Sequence, residues 1–281
     1  MKDTPYILSA KGITKTFPGV IALEDVDFSL KSGEIHALMG ENGAGKSTLI
    51  KALTGVEHPE KGIIEFDGKQ VDVRSPMQAQ ELGISTVYQE VNLCTNISVA
   101  ENIMLGHEPR MSFGSIHWRK MNEMASQSLN KLGIEIDVSK SLGNYSVAIQ
   151  QMVAITRSLE FASAKVLILD EPTSSLDAQE TKRLFDVMRQ LKNEGIGIIF
   201  ITHFLDQVYE ISDRITVLRN GKLVGSFETA NLPKIELVAH MLGRSLTKLD
   251  DISREKTKKS QEKEGLPVLE VKDLTKANYL E

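Results

Sequence analysis

Eight consecutive residues, Gly40-Glu41-Asn42-Gly43-Ala44-Gly45-Lys46-Ser47, constrain the fold of this chain more than any other stretch. They fit the phosphate-loop pattern G-x-x-x-x-G-K-[ST] at every fixed position. Glycines let such a backbone curl into a nest whose N–H groups point inward at phosphate oxygens. Lys46 supplies a point charge for β- and γ-phosphates, and the Ser47 hydroxyl can complete the shell of a Mg²⁺ ion. The flanks have the required character. Glu34-Ile35-His36-Ala37-Leu38-Met39 reads as a buried strand entering the loop. Ser47-Thr48-Leu49-Ile50-Lys51-Ala52-Leu53 reads as the helix leaving it, with its N-terminus aimed at the anion. We therefore expect Mg²⁺ and ATP to be held by residues 40–48, Thr48 included. Average composition would produce such an octapeptide by chance in roughly one chain of this size in a hundred.

Bulk properties narrow the class. The chain has 281 residues, 41% hydrophobic and 25% charged, which predicts a soluble globular protein with a sizeable core. A formal net charge of −5 argues against a general nucleic-acid binder. Cys94 is the sole cysteine, so no disulfide can form within the chain, and a reducing compartment fits. Its expected role is that of a small apolar filler. Met1-Lys2-Asp3-Thr4-Pro5 lacks the apolar stretch of a signal peptide. No apolar run approaches the roughly 18 residues a membrane span needs, so any membrane role must come through a partner.

Patterning divides the chain into regions. Residues 5–90 alternate short strands with turns, among them Thr16-Phe17-Pro18-Gly19 and Phe66-Asp67-Gly68-Lys69. Residues 95–160 carry apolar positions three or four apart, as at Met121, Met124, Leu129 and Leu132, which predicts helices with a core-facing stripe. Residues 165–225 return to strand and helix. There Lys165–Asp170 and Gly197–Thr202 are continuous apolar runs, as strands of a covered parallel sheet should be. Between Arg244 and Glu264, 12 of 21 residues are charged, seven basic and five acidic, a linker or solvated helix by its mixed signs. Beyond it, Leu269-Glu270-Val271-Lys272-Asp273-Leu274-Thr275-Lys276 repeats Leu8-Ser9-Ala10-Lys11-Gly12-Ile13-Thr14-Lys15 at four of eight positions. The echo reads as the opening strand of a second copy, cut off at Glu281.

The apolar strand Val166–Leu169 ends in Asp170-Glu171-Pro172-Thr173. Downstream of a phosphate loop, a strand-end Asp can hold the Mg²⁺ shell, and the following Glu can orient and polarise the attacking water.

Here the chain resembles the ATP-binding cassette family, over about residues 5–243 and with the motifs in the family's order. The resemblance implies a P-loop fold with a mostly parallel core sheet, an N-terminal antiparallel β-subdomain and an inserted helical subdomain at about 95–160. It implies that Gln89, after the strand Ile84–Tyr88, is the glutamine that contacts Mg²⁺ or water. Ser175-Leu176-Asp177 matches the D-loop, with Asp177 acting across a dimer interface. His203 matches the histidine that contacts the γ-phosphate, and Phe17 sits where an aromatic stacks on adenine. The signature, Leu-Ser-Gly-Gly-Gln in the family, departs from the pattern. Tyr145-Ser146-Val147-Ala148-Ile149 keeps Ser146 and loses both glycines and the glutamine. In this family the signature of one domain caps nucleotide held by the other. This chain's own loop therefore looks competent, while the site it helps to build on its partner looks impaired.

The tandem echo, the weakened signature and Asp170-Glu171-Pro172-Thr173-Ser174-Ser175-Leu176-Asp177 look like ATPases of bacterial monosaccharide importers. The stretches Ile201–Tyr209 and Asp213–Gly221 look most like the galactofuranose-importing branch. That resemblance implies residues 5–243 as a nucleotide-binding domain, 244–266 as a linker and 267–281 as the start of a second domain. It also implies integral-membrane permease subunits as partners, a periplasmic sugar-binding protein as an indirect one, no nucleic acid, and a peripheral position on the cytoplasmic face of the inner membrane. A soluble cassette ATPase acting on ribosomes or DNA is the competing reading. Against it, Lys46 and Ser146 stand only 100 residues apart, leaving no room for a long coiled coil, the linker is short and the net charge is negative. A nucleotide-binding regulator without turnover is disfavoured by Glu171, which a dead site would not need.

Overall fold

Residues 6–88, 93–160 and 164–243 are described by the computed structural model. The N-terminal third runs β1 (Tyr6–Phe17), β2 (Val20–Lys31), β3 (Ile35–Met39), α1 (Lys46–Leu53), β4 (Lys61–Phe66), β5 (Lys69–Val71), α2 (Pro76–Leu82) and β6 (Ile84–Val87). A helical stretch follows: α3 (Val99–Met104), α4 (Trp118–Lys131) and α5 (Val147–Glu160). The rest is β7 (Val166–Asp170), α6 (Ala178–Asn193), β8 (Gly197–Ile201), α7 (Leu205–Ile211), β9 (Arg214–Arg219), β10 (Lys222–Glu228) and α8 (Lys234–Leu242).

Two sheets organise these elements. A four-stranded antiparallel sheet has the order β2-β1-β4-β5, and both of its predicted turns are present. At Asp67-Gly68 the two residues take φ of 51° and 73°, the left-handed pair that a tight hairpin requires. The six-stranded sheet has the order β10-β9-β3-β8-β7-β6, parallel except for the edge hairpin β9–β10. All residues of β3 and β8 are buried, which is why these strands read as unbroken apolar runs. One apolar cluster lies between the antiparallel sheet and α1, and another packs α5 and α6 against the other strands of the core sheet. Helices α3, α4 and α5 enclose a third around Val99, Ile103, Met121, Ala125, Leu129 and Val153, so the Met and Leu stripe is core as expected.

A buried ion pair fastens the sheets together. Arg214 Nε lies 2.7 Å from Glu34 Oε1, and its Nη2 donates to the Ser29 carbonyl at 2.7 Å. Beside it His36 is fully buried, held neutral by burial first and Arg214 second, its pKa pushed down to about 3.

Cys94 corrects an expectation. Its side chain is exposed, and what is held is its backbone, bracketed by both ends of the buried Asn102 amide at 2.9 Å. The thiol therefore fills no apolar gap, and a polar residue on α3, Asn102, holds this stretch through its backbone.

The chain divides into two units, Met1–Leu242 and Gly243–Glu281. The charged stretch and the repeated strand fall in the second, outside the described residues. No helix among the described residues is long and apolar enough to cross a membrane.

Candidate functional site

The site is assembled where three neighbouring strands of the core sheet, β3, β8 and β7, reach their C-terminal ends. In open α/β sheets, ligands bind in the crevice beyond the carboxyl ends of the strands. Residues 40–45 leave β3 as a tight loop, with Gly40, Gly43 and Gly45 at φ of 152°, 81° and 105°. Two of these glycines are also sterically compelled. A Cβ at Gly40 would run into the Leu218 carbonyl, and one at Gly45 would lie 2.8 Å from the Ala22 carbonyl and 2.9 Å from Leu23 Cδ2. At Gly43 a Cβ would meet nothing within 4 Å, so that position answers to backbone conformation alone. The loop is pinned from below by Gly221, whose N–H donates to the Ala44 carbonyl at 3.1 Å. Glu41, Asn42 and Ser47 are exposed at its mouth, with Thr48 half-buried behind them.

Lys46 opens α1 and folds back over the loop, donating to the carbonyls of Gly40 at 2.8 Å and Glu41 at 3.1 Å. Its ammonium sits below its usual pKa because burial strips it of water; the charges of Glu171 and Asp170 pull the other way. Asp170, the last residue of β7, is displaced upward, by burial first and by Glu171 second, with Lys46 opposing. Lys46 and Asp170 give each other counter-charge, but burial outweighs it at both, and a polyphosphate with a hard cation would add to it.

Glu171 takes φ of 50°, uncommon for a residue with a side chain. Its N–H donates to the Ile201 carbonyl at 2.9 Å, which ties the end of β7 to the end of β8. Its Oε2 lies 2.8 Å from His203 Nδ1, and the imidazole packs, tilted by 40°, against the Phe204 ring with centroids 4.0 Å apart. Thus four residues separated in sequence by up to 157 positions, Lys46, Asp170, Glu171 and His203, converge at one sheet edge.

The remaining predicted positions distribute differently. Phe17 closes β1, partly exposed, with Lys15 Nζ 5.2 Å above its ring. Asp177 caps α6: its carboxylate accepts from the Glu180 N–H at 2.8 Å, and Glu180 reaches back to the Asp177 N–H at 3.2 Å. Gln89 lies outside the described residues. At the altered signature, Ser146 immediately precedes α5, and its Oγ accepts weakly from the Ile149 N–H at 3.5 Å. Val147 is 48% exposed but Ala148 is buried, and Ile149 packs into the helical cluster. The obstruction expected from two added Cβ atoms therefore reduces to one, because α5 turns the Ala148 methyl inward. Sequence reasoning also missed Thr173, Thr202 and Gln207. Thr173 donates to Gln207 Oε1 at 2.6 Å, and nothing local in the sequence marks that pair, 34 residues apart.

A family model described as "ABC transporter" matches residues 23–174. Over 240 residues the chain is 58% identical to the Galactofuranose transporter ATP-binding protein YtfR of Escherichia coli K12, covering 85% of this chain and 48% of that protein. It is 51% identical over 277 residues to the Fructose import ATP-binding protein FruK of Bifidobacterium longum, covering 98% and 54% respectively. The chain thus spans about half the length of the curated relatives it matches. Among solved structures it is similar to the ADP conformation of MJ1267, an ATP-binding cassette of an ABC transporter. There the TM-score is 0.71 at 25% identity, over 85% of this chain and 95% of that one.

Proposed function

The chain belongs to the ABC transporter family, and on that premise we propose that it is an ATP-binding and ATP-hydrolysing cassette that energises import of a monosaccharide. The convergence of Lys46, Asp170, Glu171 and His203 at one sheet edge is the observation that carries the chemistry. The loop N–H groups and Lys46 take the phosphates, and Phe17 takes the adenine ring. Ser47 and Asp170, with Gln89, are the residues that would hold Mg²⁺, which when bound neutralises charge on the phosphate oxygens. Glu171 orients the attacking water, accepting a hydrogen bond and then a proton from it, while the bond to His203 keeps the carboxylate aimed at that position. Hydrolysis then joins the water oxygen to the γ-phosphorus as the bond from that phosphorus to the β–γ bridging oxygen breaks, releasing ADP and inorganic phosphate. Ser146 and Asp177 act across the interface with a second cassette, in our reading one that follows the charged stretch 244–266 and opens at residues 267–281.

The relatives' names favour the sugar and leave its identity open. Proteins named for galactofuranose and for fructose are 58% and 51% identical to the same chain. A cassette shared so closely between different cargoes supports a division of labour in which permease subunits and a periplasmic binding protein choose the sugar. In that arrangement the cassette lies against the cytoplasmic face of the membrane.

The test uses the parent chain reconstituted with its permease in vesicles. Glu171→Gln should retain ATP binding while ATP-driven uptake of labelled monosaccharides and ATP turnover fall by about two to four orders of magnitude. Lys46→Ala should instead weaken ATP binding itself by roughly 10- to 100-fold, as loss of a charge-assisted contact does. Uptake that survives Glu171→Gln, or that runs without ATP, would overturn the reading.

A further inference from the structure

Gln207 carries no catalytic or binding role in the account so far, yet it occupies the junction between the two turns that carry the candidate hydrolytic pair. It lies in the first turns of α7, and its side-chain oxygen receives two hydroxyls. Thr173 Oγ1 donates to it at 2.6 Å from the turn that follows Glu171, and Thr202 Oγ1 donates at 3.4 Å from the residue before His203. Both threonines are 2% exposed, so neither hydroxyl has water as a substitute partner. Thr202 Oγ1 also accepts from the Phe204 N–H at 3.2 Å, which fixes the residue whose ring packs on the His203 imidazole. His203 itself is largely open to solvent, 63% by side chain, and has little packing to define its direction apart from that ring and the 2.8 Å bond to Glu171.

The consequence is mechanical. Glu171 sits at a positive φ, a conformation that persists only when its surroundings over-determine it. From the backbone side the Glu171 N–H bond to Ile201 supplies one tie between the strand ends. On the side-chain side, the Thr173–Gln207–Thr202 bridge supplies the other. Remove the acceptor and two buried hydroxyls lose their partner, so the two turns are free to drift apart by the fraction of an ångström that separates an aimed carboxylate from a misaimed one.

We propose that Gln207 is a positioning residue: its side-chain oxygen locks the turn bearing Glu171 to the turn bearing His203 and thereby holds the carboxylate–imidazole pair in working register. This rests on the reading of Glu171 and His203 given above, without which there is no register to hold. Gln207 touches neither phosphate nor water in this account, so its effect belongs to turnover and not to nucleotide affinity.

Three variants of the full-length parent chain in its transporter complex test the proposal. Gln207→Leu keeps the bulk and removes the acceptor. It should lower kcat for ATP about 10- to 100-fold, the scale of a slight misplacement, with KM for ATP close to wild type and the thermal midpoint lowered by a few degrees, as orphaned buried hydroxyls require. Gln207→Glu restores an oxygen acceptor and should recover most of that loss. Glu171→Gln, measured alongside, separates the two levels of argument. If it turns over normally, the hydrolytic reading fails and the positioning role falls with it. If it is inactive while Gln207→Leu turns over like wild type, only the positioning role is overturned. A Gln207→Leu loss that Gln207→Glu fails to recover, or that appears equally in KM, also overturns it, because then the side chain serves folding or binding.

Discussion

Residues 40–48 and residues 145–151 each run from a loop into the start of a helix, and they treat the helix end in opposite ways. Such an end offers backbone N–H groups and a positive dipole, a ready anion site wherever the chain leaves it open. Before α1 the chain leaves it open. Gly45 in the left-handed region precedes the helix, no acidic residue enters its first turn, and Lys46 adds positive charge at the mouth. Before α5 the chain fills the end from within. Ser146 caps Ile149, Gln150 donates its amide to the Tyr145 carbonyl at 3.0 Å, and the Val147 side chain beside them is exposed. The contrast shows that a helix N-terminus is left open to an anion through what is withheld from it, Cβ atoms and internal caps, as much as through what is added.

Five substitutions probe that contrast. The largest effect is expected within the open end itself. Gly40→Ala meets the Leu218 carbonyl as well as a disfavoured φ and should cost about 3 kcal/mol of stability, read by denaturant unfolding. Gly43→Ala meets nothing and should cost about 1 kcal/mol, the backbone penalty alone. Equal costs would mean that conformation, not close approach, selects both glycines.

At the filled end, Val147→Gly removes an exposed side chain beside the N-terminus without touching the core. If the closed pair of cassettes is limited there, ATP turnover of this chain should rise with protein concentration, by roughly fivefold, the worth of about 1 kcal/mol from one recovered backbone hydrogen bond. Ala148→Gly is the control, since that methyl is buried and its loss should lower stability without raising turnover. No change in Val147→Gly, with ATP binding intact, would place the limit elsewhere.

The smallest effect concerns the charge stored beside the open end. The Asp170 carboxyl is raised above its ordinary range by burial and by Glu171. Its ionised form is therefore less stable in the fold than in the unfolded chain, a cost present at neutral pH and relieved as pH falls through the raised pKa. Asp170→Asn should raise the melting temperature of the nucleotide-free protein by ~2 °C at neutral pH while abolishing Mg²⁺-dependent tightening of ATP. A lower melting temperature would mean that the attraction between Asp170 and Lys46 outweighs the desolvation.

Much of this molecule was legible before any coordinates. The glycines of residues 40–45 announce their backbone because side chains cannot follow it there, and the runs Ile35–Met39, Val166–Leu169 and Gly197–Ile201 announce a covered parallel sheet because both faces are apolar. These are local facts, written in residue type and spacing. Other features needed the third dimension. That Ala148 turns inward while Val147 stays exposed depends on how α5 is rotated against the helical cluster. That Asn102 holds the backbone of Cys94, and that Gln207 bridges Thr173 and Thr202, depends on which strand ends and helices come to lie side by side. Sequence alone determined where the chain must bend and which surfaces must be buried, since those follow from the steric and apolar character of single residues. The tertiary structure decided which polar groups meet, because a hydrogen bond a few ångströms long is set by the packing of distant elements and leaves no periodic trace in the chain.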